Sequence, residues 1–194
     1  MNTIKDYIEN TLIIKNSKFI TIIYHIANID DVNKYMNIVK DKYKDATHYC
    51  YAYILPNIIK CSDDGEPSGT AGKPILDVLS KHNLNFVLAI VVRYFGGIKL
   101  GAGGLIRAYS KCISSCLNND NIMKLVLGKN IDIYFDYKDI NDIDLLLTNC
   151  KINIKNYQDT INYNVDIPND ILDILSSKYK VIVNKDVYIK NDMI

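Results

Sequence analysis

Residues 61–111, CSDDGEPSGTAGKPILDVLSKHNLNFVLAIVVRYFGGIKLGAGGLIRAYSK, decide how this chain folds. At their centre, Phe86 to Tyr94 is a near-continuous apolar run rich in β-branched residues, the pattern of a central strand buried on both faces. On either side lie segments whose glycines, prolines and aspartates no regular element tolerates. The first is Ser62 to Pro74. The second starts at Phe95-Gly96-Gly97 and ends at Gly101-Ala102-Gly103-Gly104. Each leads into a helix: Ile75, Leu76, Val78 and Leu79 form an apolar face running to about His82, and Leu105 to Leu117 form a second helix. Thr70 or Ser68 is the expected cap of the first. Most of the chain's glycines and both of its arginines, Arg93 and Arg107, fall in this stretch.

Towards the N-terminus, residues 11–14 read as a short strand, Asn16-Ser17 as a break, and Phe19 to Ala27 as a longer strand. Asp30 or Asp31 opens a helix to about Tyr43, with Val32, Tyr35, Met36 and Val39 at helical spacing. His48 to Leu55 is a strand with tyrosines alternating at 49, 51 and 53, hence one aromatic face, and Ile58 to Cys61 follows as a short strand. Towards the C-terminus, the polar run Asn118 to Asn121 and Gly128 mark a boundary near 120–129. Beyond it the pattern is strand 130–135, helix 140–149, strands 151–156 and 160–167, a helix opened by Pro168, and strand 181–189. That βαββαβ order is the ferredoxin-like unit. The fold class is therefore α+β, in two domains, 1–125 and 126–194.

The 194 residues carry a net charge of +1, with 48% hydrophobic and 23% charged side chains, the composition of a folded protein rather than a disordered one. The charge is uneven: 15 basic and 11 acidic side chains in residues 1–125, against 8 and 11 in 126–194. Four cations and no acid lie between Arg93 and Lys111. Five cysteines without a CxxC pair, and three histidines, favour thiols in a reducing compartment over a disulfide framework or a structural zinc site. The longest unbroken apolar run is far shorter than a membrane span, and no signal-peptide pattern is present. A soluble, cytoplasmic protein is expected, with no membrane partner.

Four features of the sequence point to chemistry. Gly96, Gly97, Gly101, Gly103 and Gly104 free the backbone before a helix N-terminus, where unpaired N–H groups favour an anion. Arg93, Lys99, Arg107 and Lys111 add charge there, with Lys73 if the two loops meet. This is neither a Walker loop nor a GxGxxG fingerprint, and a tight packing turn is the plainer alternative. Asp63, Asp64 and Glu66 either bind Mg²⁺ or bond backbone N–H groups within their own loop. His48 is either a base or a hydrogen-bonded structural group. An exposed tyrosine such as Tyr94 is a candidate for stacking on bases. No cofactor and no metal are expected, since a metal held by these acids would need ligands from elsewhere that the sequence does not supply.

Three runs resemble the YigZ/IMPACT family: Ala46-Thr47-His48-Tyr49-Cys50, SDDGEPSGTAGKPILDVL (Ser62 to Leu79) and VVRYFGGIKLGAGGLIRAYS (Val91 to Ser110). Ser17-Lys18-Phe19-Ile20 is similar to its opening, and Tyr49 stands where that family commonly has Asn. The resemblance implies an N-terminal domain of the ribosomal-protein type, like the fourth domain of elongation factor G, followed by a ferredoxin-like domain. It implies translational control for the eukaryotic members and no established catalytic residue. The expected activity is non-enzymatic: binding of ribosome, RNA or a translation-control protein through the glycine-rich basic face. The alternative is a phosphate- or nucleotide-binding enzyme that pairs the glycine loop with Mg²⁺ at Asp63, Asp64 or Glu66.

Overall fold

The apolar run after Asn85 becomes the middle strand of a five-stranded antiparallel sheet. The structure is a computed structural model that describes residues 1–5 and 7–191. Its strands and helices are β1 (Asn2–Ile4), β2 (Ile8–Ile14), β3 (Ser17–His25), α1 (Ile29–Lys42), β4 (His48–Leu55), β5 (Ile58–Ser62), α2 (Gly72–Lys81), β6 (Val87–Tyr94), α3 (Ala102–Ser114), β7 (Ile122–Phe135), α4 (Ile140–Leu146), β8 (Lys151–Tyr157), β9 (Ile161–Pro168), α5 (Asn169–Ser176) and β10 (Lys180–Asn191). The chain divides into two compact units, Met1–Met123 and Lys124–Ile194.

In the first unit the sheet order is β2-β3-β6-β4-β5. Because side chains alternate across a strand, β6 sends Val87, Ala89 and Val91 to one face and Leu88, Ile90 and Val92 to the other. The second face is covered by α1 through Val32, Val39, Tyr35 and Met36. Tyr49, Tyr51 and Tyr53 of β4 pack on this side, the aromatic face that their alternation predicts. The first face is covered by α2 through Ile75 and Leu79, and by α3 through Leu105, Ala108, Tyr109, Cys112 and Ile113. Burying each Leu or Ile in this layer contributes about 1.5–3 kcal/mol.

Several ends differ from the sequence reading. Asn28, not Asp30 or Asp31, caps α1: its side chain accepts from the N–H groups of Asp30 and Asp31 at 2.9 and 3.1 Å. Strand β2 starts three residues earlier than the apolar TLII run suggests, and β1 carries no strong periodicity at all. Helix α3 starts at Ala102 rather than Leu105, so Gly103 and Gly104 lie in its first turn. Lys15 and Asn16, at φ 44° and 63°, close the β2–β3 hairpin as a two-residue turn of the kind that matches strand twist.

In the second unit the strands pair antiparallel in the order β10-β7-β9-β8. With α4 and α5 as the crossovers, this is the split βαββαβ arrangement. One face is the apolar layer of Ile131, Ile133, Tyr163, Val165 and Ile167, packed with Ile143, Leu147 and Leu175. On the other face, the amides of Asn130, Asn153, Asn164 and Asn184 bond one another and the carboxylates of Asp132 and Asp166, a ladder across all four strands. Among the described residues no helix is long and apolar enough to cross a membrane.

Candidate functional site

Strand register assembles the first part of the site. Arg93 stands opposite Phe19 of β3 and His48 of β4, and by parity all three share the face covered by α2 and α3. The loop after β5 then reverses at Asp64 and Gly65, both with positive φ, closed by the Glu66 N–H donating to the Asp63 carbonyl at 2.9 Å. That reversal aims Glu66 inward. Its Oε1 accepts from Arg93 Nη1 at 2.5 Å and from the Tyr109 hydroxyl of α3 at 2.8 Å. His48 Nε2 lies 3.9 Å from Oε2, while its Nδ1 bonds the Asp64 carbonyl at 2.8 Å. The Cys50 thiol lies 3.3 Å from the Tyr109 hydroxyl.

Glu66 is 8% and Arg93 4% exposed, so this is a buried ion pair joining loop, strand and helix. Burial, then the neighbouring Glu66, Asp64 and Asp63 charges, pushes the Cys50 thiol up to about 12, although the Tyr109 hydroxyl works against that. Burial likewise pushes Tyr109 up, with Cys50 and Glu66 adding to it. Neither group is an activated nucleophile or base. Arg93 is therefore not part of an exposed cationic face, as its position beside the glycines suggests; strand parity turns it into the core, where Glu66 neutralises it.

The three clustered carboxylates separate in the same way. Asp63 accepts from the N–H groups of Gly69, Ala71 and Gly72 at 2.8, 2.9 and 2.8 Å. Burial alone would raise its carboxyl, but these three donors together hold it below the usual carboxylate range. Asp63 thus supplies the anion at the N-terminus of α2; Thr70 instead donates to the Pro67 carbonyl at 2.6 Å. Asp64 accepts from the Tyr49 N–H at 2.6 Å. Among the described residues no three His, Cys, Asp or Glu side chains converge as metal ligands. Lys73, exposed on α2, pairs with Asp77 at 2.6 Å.

The second glycine segment is built differently. Gly96 runs so close to the β2–β3 turn that a Cβ there would collide with the Asn16 and Ser17 backbone. The Ser17 hydroxyl accepts from the Gly96 N–H and from Arg93 Nη2, both at 3.2 Å. Gly97 has φ 84°, in open space. Gly101, at φ 71°, is the N-cap of α3, and it has no side chain with which to bond the amides of that helix start. Gly103 and Gly104 follow in its first turn, with a Cβ at Gly104 meeting Leu100 at 3.0 Å. The N-terminus of α2 thus carries an internal carboxylate, whereas the cap of α3 is a bare glycine.

Beside α3 lies a groove of about 250 Å³ lined by Ile14, Lys15, Leu100, Gly104, Arg107, Ala108 and Lys111. Arg107 and Lys111 are one turn apart and share a helix face. Lys15 comes from the hairpin turn that Gly96 supports. Three cations and no carboxylate line this groove. Lys99 is exposed one residue before Leu100. Lys15, Ser17 and Tyr109 escape sequence reading: the Asn16-Ser17 break shows a turn, but only the tertiary fold carries that turn to α3.

A two-unit α+β protein with an internally neutralised glycine-loop core and a basic groove is the class that these observations define. Residues 15–117 match the family described as the Impact N-terminal domain, and the chain belongs to the IMPACT family. It is 41% identical over 145 residues to IMPACT family member YvyE of Bacillus subtilis, covering 73% of this chain and 67% of that one. It is 33% identical over 162 residues to IMPACT family member YigZ of Escherichia coli, covering 80% and 79%. A crystal structure of a hypothetical protein superposes with a TM-score of 0.66 at 27% identity, over 95% of this chain and 97% of that one.

Proposed function

We propose that this protein is a translation-associated regulator that binds the phosphate backbone of RNA, on the ribosome or on a translation-control complex, through the groove beside α3. The observation that carries this is the convergence of Lys15, Arg107 and Lys111 on a groove free of carboxylates. Membership of the IMPACT family supports the translation setting, and the glycine-capped start of α3 adds positive potential next to the groove. The nucleotide-enzyme alternative needs Mg²⁺ ligands, whereas Asp63, Asp64 and Glu66 are committed to partners within the protein.

Co-sedimentation with ribosomes at low and high salt, together with titration of a labelled single-stranded RNA, tests the reading. Arg107→Ala with Lys111→Ala should weaken binding. The log–log salt slope should fall by about 1.4, since each phosphate contact on a single strand contributes about 0.7. Binding and salt slope unchanged in the double variant would remove the groove from consideration.

A further inference from the structure

One exposed aromatic ring is held at the exit of β6, on the backbone that packs against the β2–β3 turn. Phe95 follows β6 and is 44% exposed. The Arg93 guanidinium carbon lies 5.5 Å from its ring centroid and 5.3 Å from that of the buried Phe19. The Phe95 N–H donates to the Thr47 hydroxyl at 3.1 Å, and the next N–H, of Gly96, is held by Ser17. The ring is thus backed by a guanidinium whose own charge is neutralised by Glu66, and its backbone is anchored on both sides. A rigid ring loses little conformational freedom when a ligand covers it. Gly96 packs against Asn16, so the backbone that carries the ring runs beside the turn that delivers Lys15 to the groove. Tyr94, the stacking candidate from sequence, instead packs towards α1 and donates its hydroxyl to the Lys44 carbonyl at 3.1 Å.

We propose that Phe95 is the stacking platform for an unpaired nucleobase, so that the surface selects single-stranded RNA over duplex. This rests on the groove binding RNA phosphates, as argued above. A π-face accepts any base, and the neighbouring cations hold the backbone that carries it. In a duplex the bases are stacked on one another and cannot cover the ring.

The chain contains no tryptophan, so Phe95→Trp creates a single fluorescent reporter at the platform. An oligoadenylate should quench its emission, and an abasic sugar-phosphate oligomer of equal length should not. Phe95→Ala should weaken oligoadenylate binding about tenfold, within the range for one base–aromatic contact, and leave duplex binding unchanged. Oligoadenylate that binds without quenching, or binds Phe95→Ala as tightly as wild type, overturns the platform while leaving the groove standing. A wild-type protein that binds neither RNA overturns both readings. An emission shift of the Phe95→Trp variant with phosphatidylglycerol vesicles but not with oligoadenylate overturns the platform in favour of a lipid surface.

Discussion

Glu66→Gln tests the core of the site most directly, because it keeps the shape of the side chain and removes only its charge. In the wild type, Glu66 Oε1 serves both Arg93 and Tyr109. Without the charge, a guanidinium that is 4% exposed stays behind uncompensated. Arg93 Nε already has no hydrogen-bond partner among the described residues, so the guanidinium has little with which to make up the loss. Breaking a buried pair from one side costs about 3–5 kcal/mol. With a urea m-value of ~2 kcal/mol/M, the midpoint should fall by about 2 M. Tyr109→Phe removes one hydrogen bond to a charged group and leaves the pair intact, so its cost should be smaller, about 1.5–3 kcal/mol. The Glu66→Gln, Arg93→Met double variant removes the stranded cation and should recover much of the loss. The assay is urea unfolding of the full chain by far-ultraviolet circular dichroism, read on the transition that Glu66→Gln moves. A Glu66→Gln midpoint within ~0.3 M of wild type, or a double variant less stable than the single, would refute the account of a buried charge neutralised by one carboxylate.

Asp63→Asn should destabilise the α2 start and flatten the acid limb of the stability curve. The Asp63 carboxyl is held below its unfolded value, so its contribution is fully present above the unfolded value near 3.8 and is lost as pH falls through the folded one; Tm measured from pH 6 down to pH 2 checks this. Gly96→Ala should lower Tm and weaken RNA binding together, because the hairpin turn bearing Lys15 has to move; thermal melts and RNA titration report the two effects. Cys50 and Cys112, both pushed up to about 12 chiefly by burial, should resist iodoacetamide at pH 8 until denaturant is added, as mass spectrometry of the labelled peptides would show.

The middle of the first sheet was legible because a strand buried on both faces has to be apolar throughout, and Val87 to Val92 is. The tyrosine alternation in β4 was legible for the same reason of parity. The start of α3 was not: glycines weaken a helix interior and read as loop, whereas Gly101, with its positive φ, already caps the helix and Gly103 and Gly104 sit in its first turn. The role of Arg93 was hidden more deeply. A cation beside glycines looks like an anion contact, and its neutralising partner, Glu66, lies 27 residues earlier in a loop whose inward turn depends on positive φ at Asp64 and Gly65. Three acids within four residues suggest a common ligand, yet each is consumed by a different internal partner. Local spacing does not reveal which backbone amides a loop leaves bare.

The close approach of Gly96 to the Lys15-Asn16 turn binds two distant stretches of chain into a single inherited unit. An insertion in the hairpin would push the turn into the strand exit, and a larger residue at 96 would push back. Either change alone should strain this contact. Drift at these positions should therefore occur in pairs, and grafting the hairpin from another lineage should succeed only when the Phe95-Gly96-Gly97 segment travels with it.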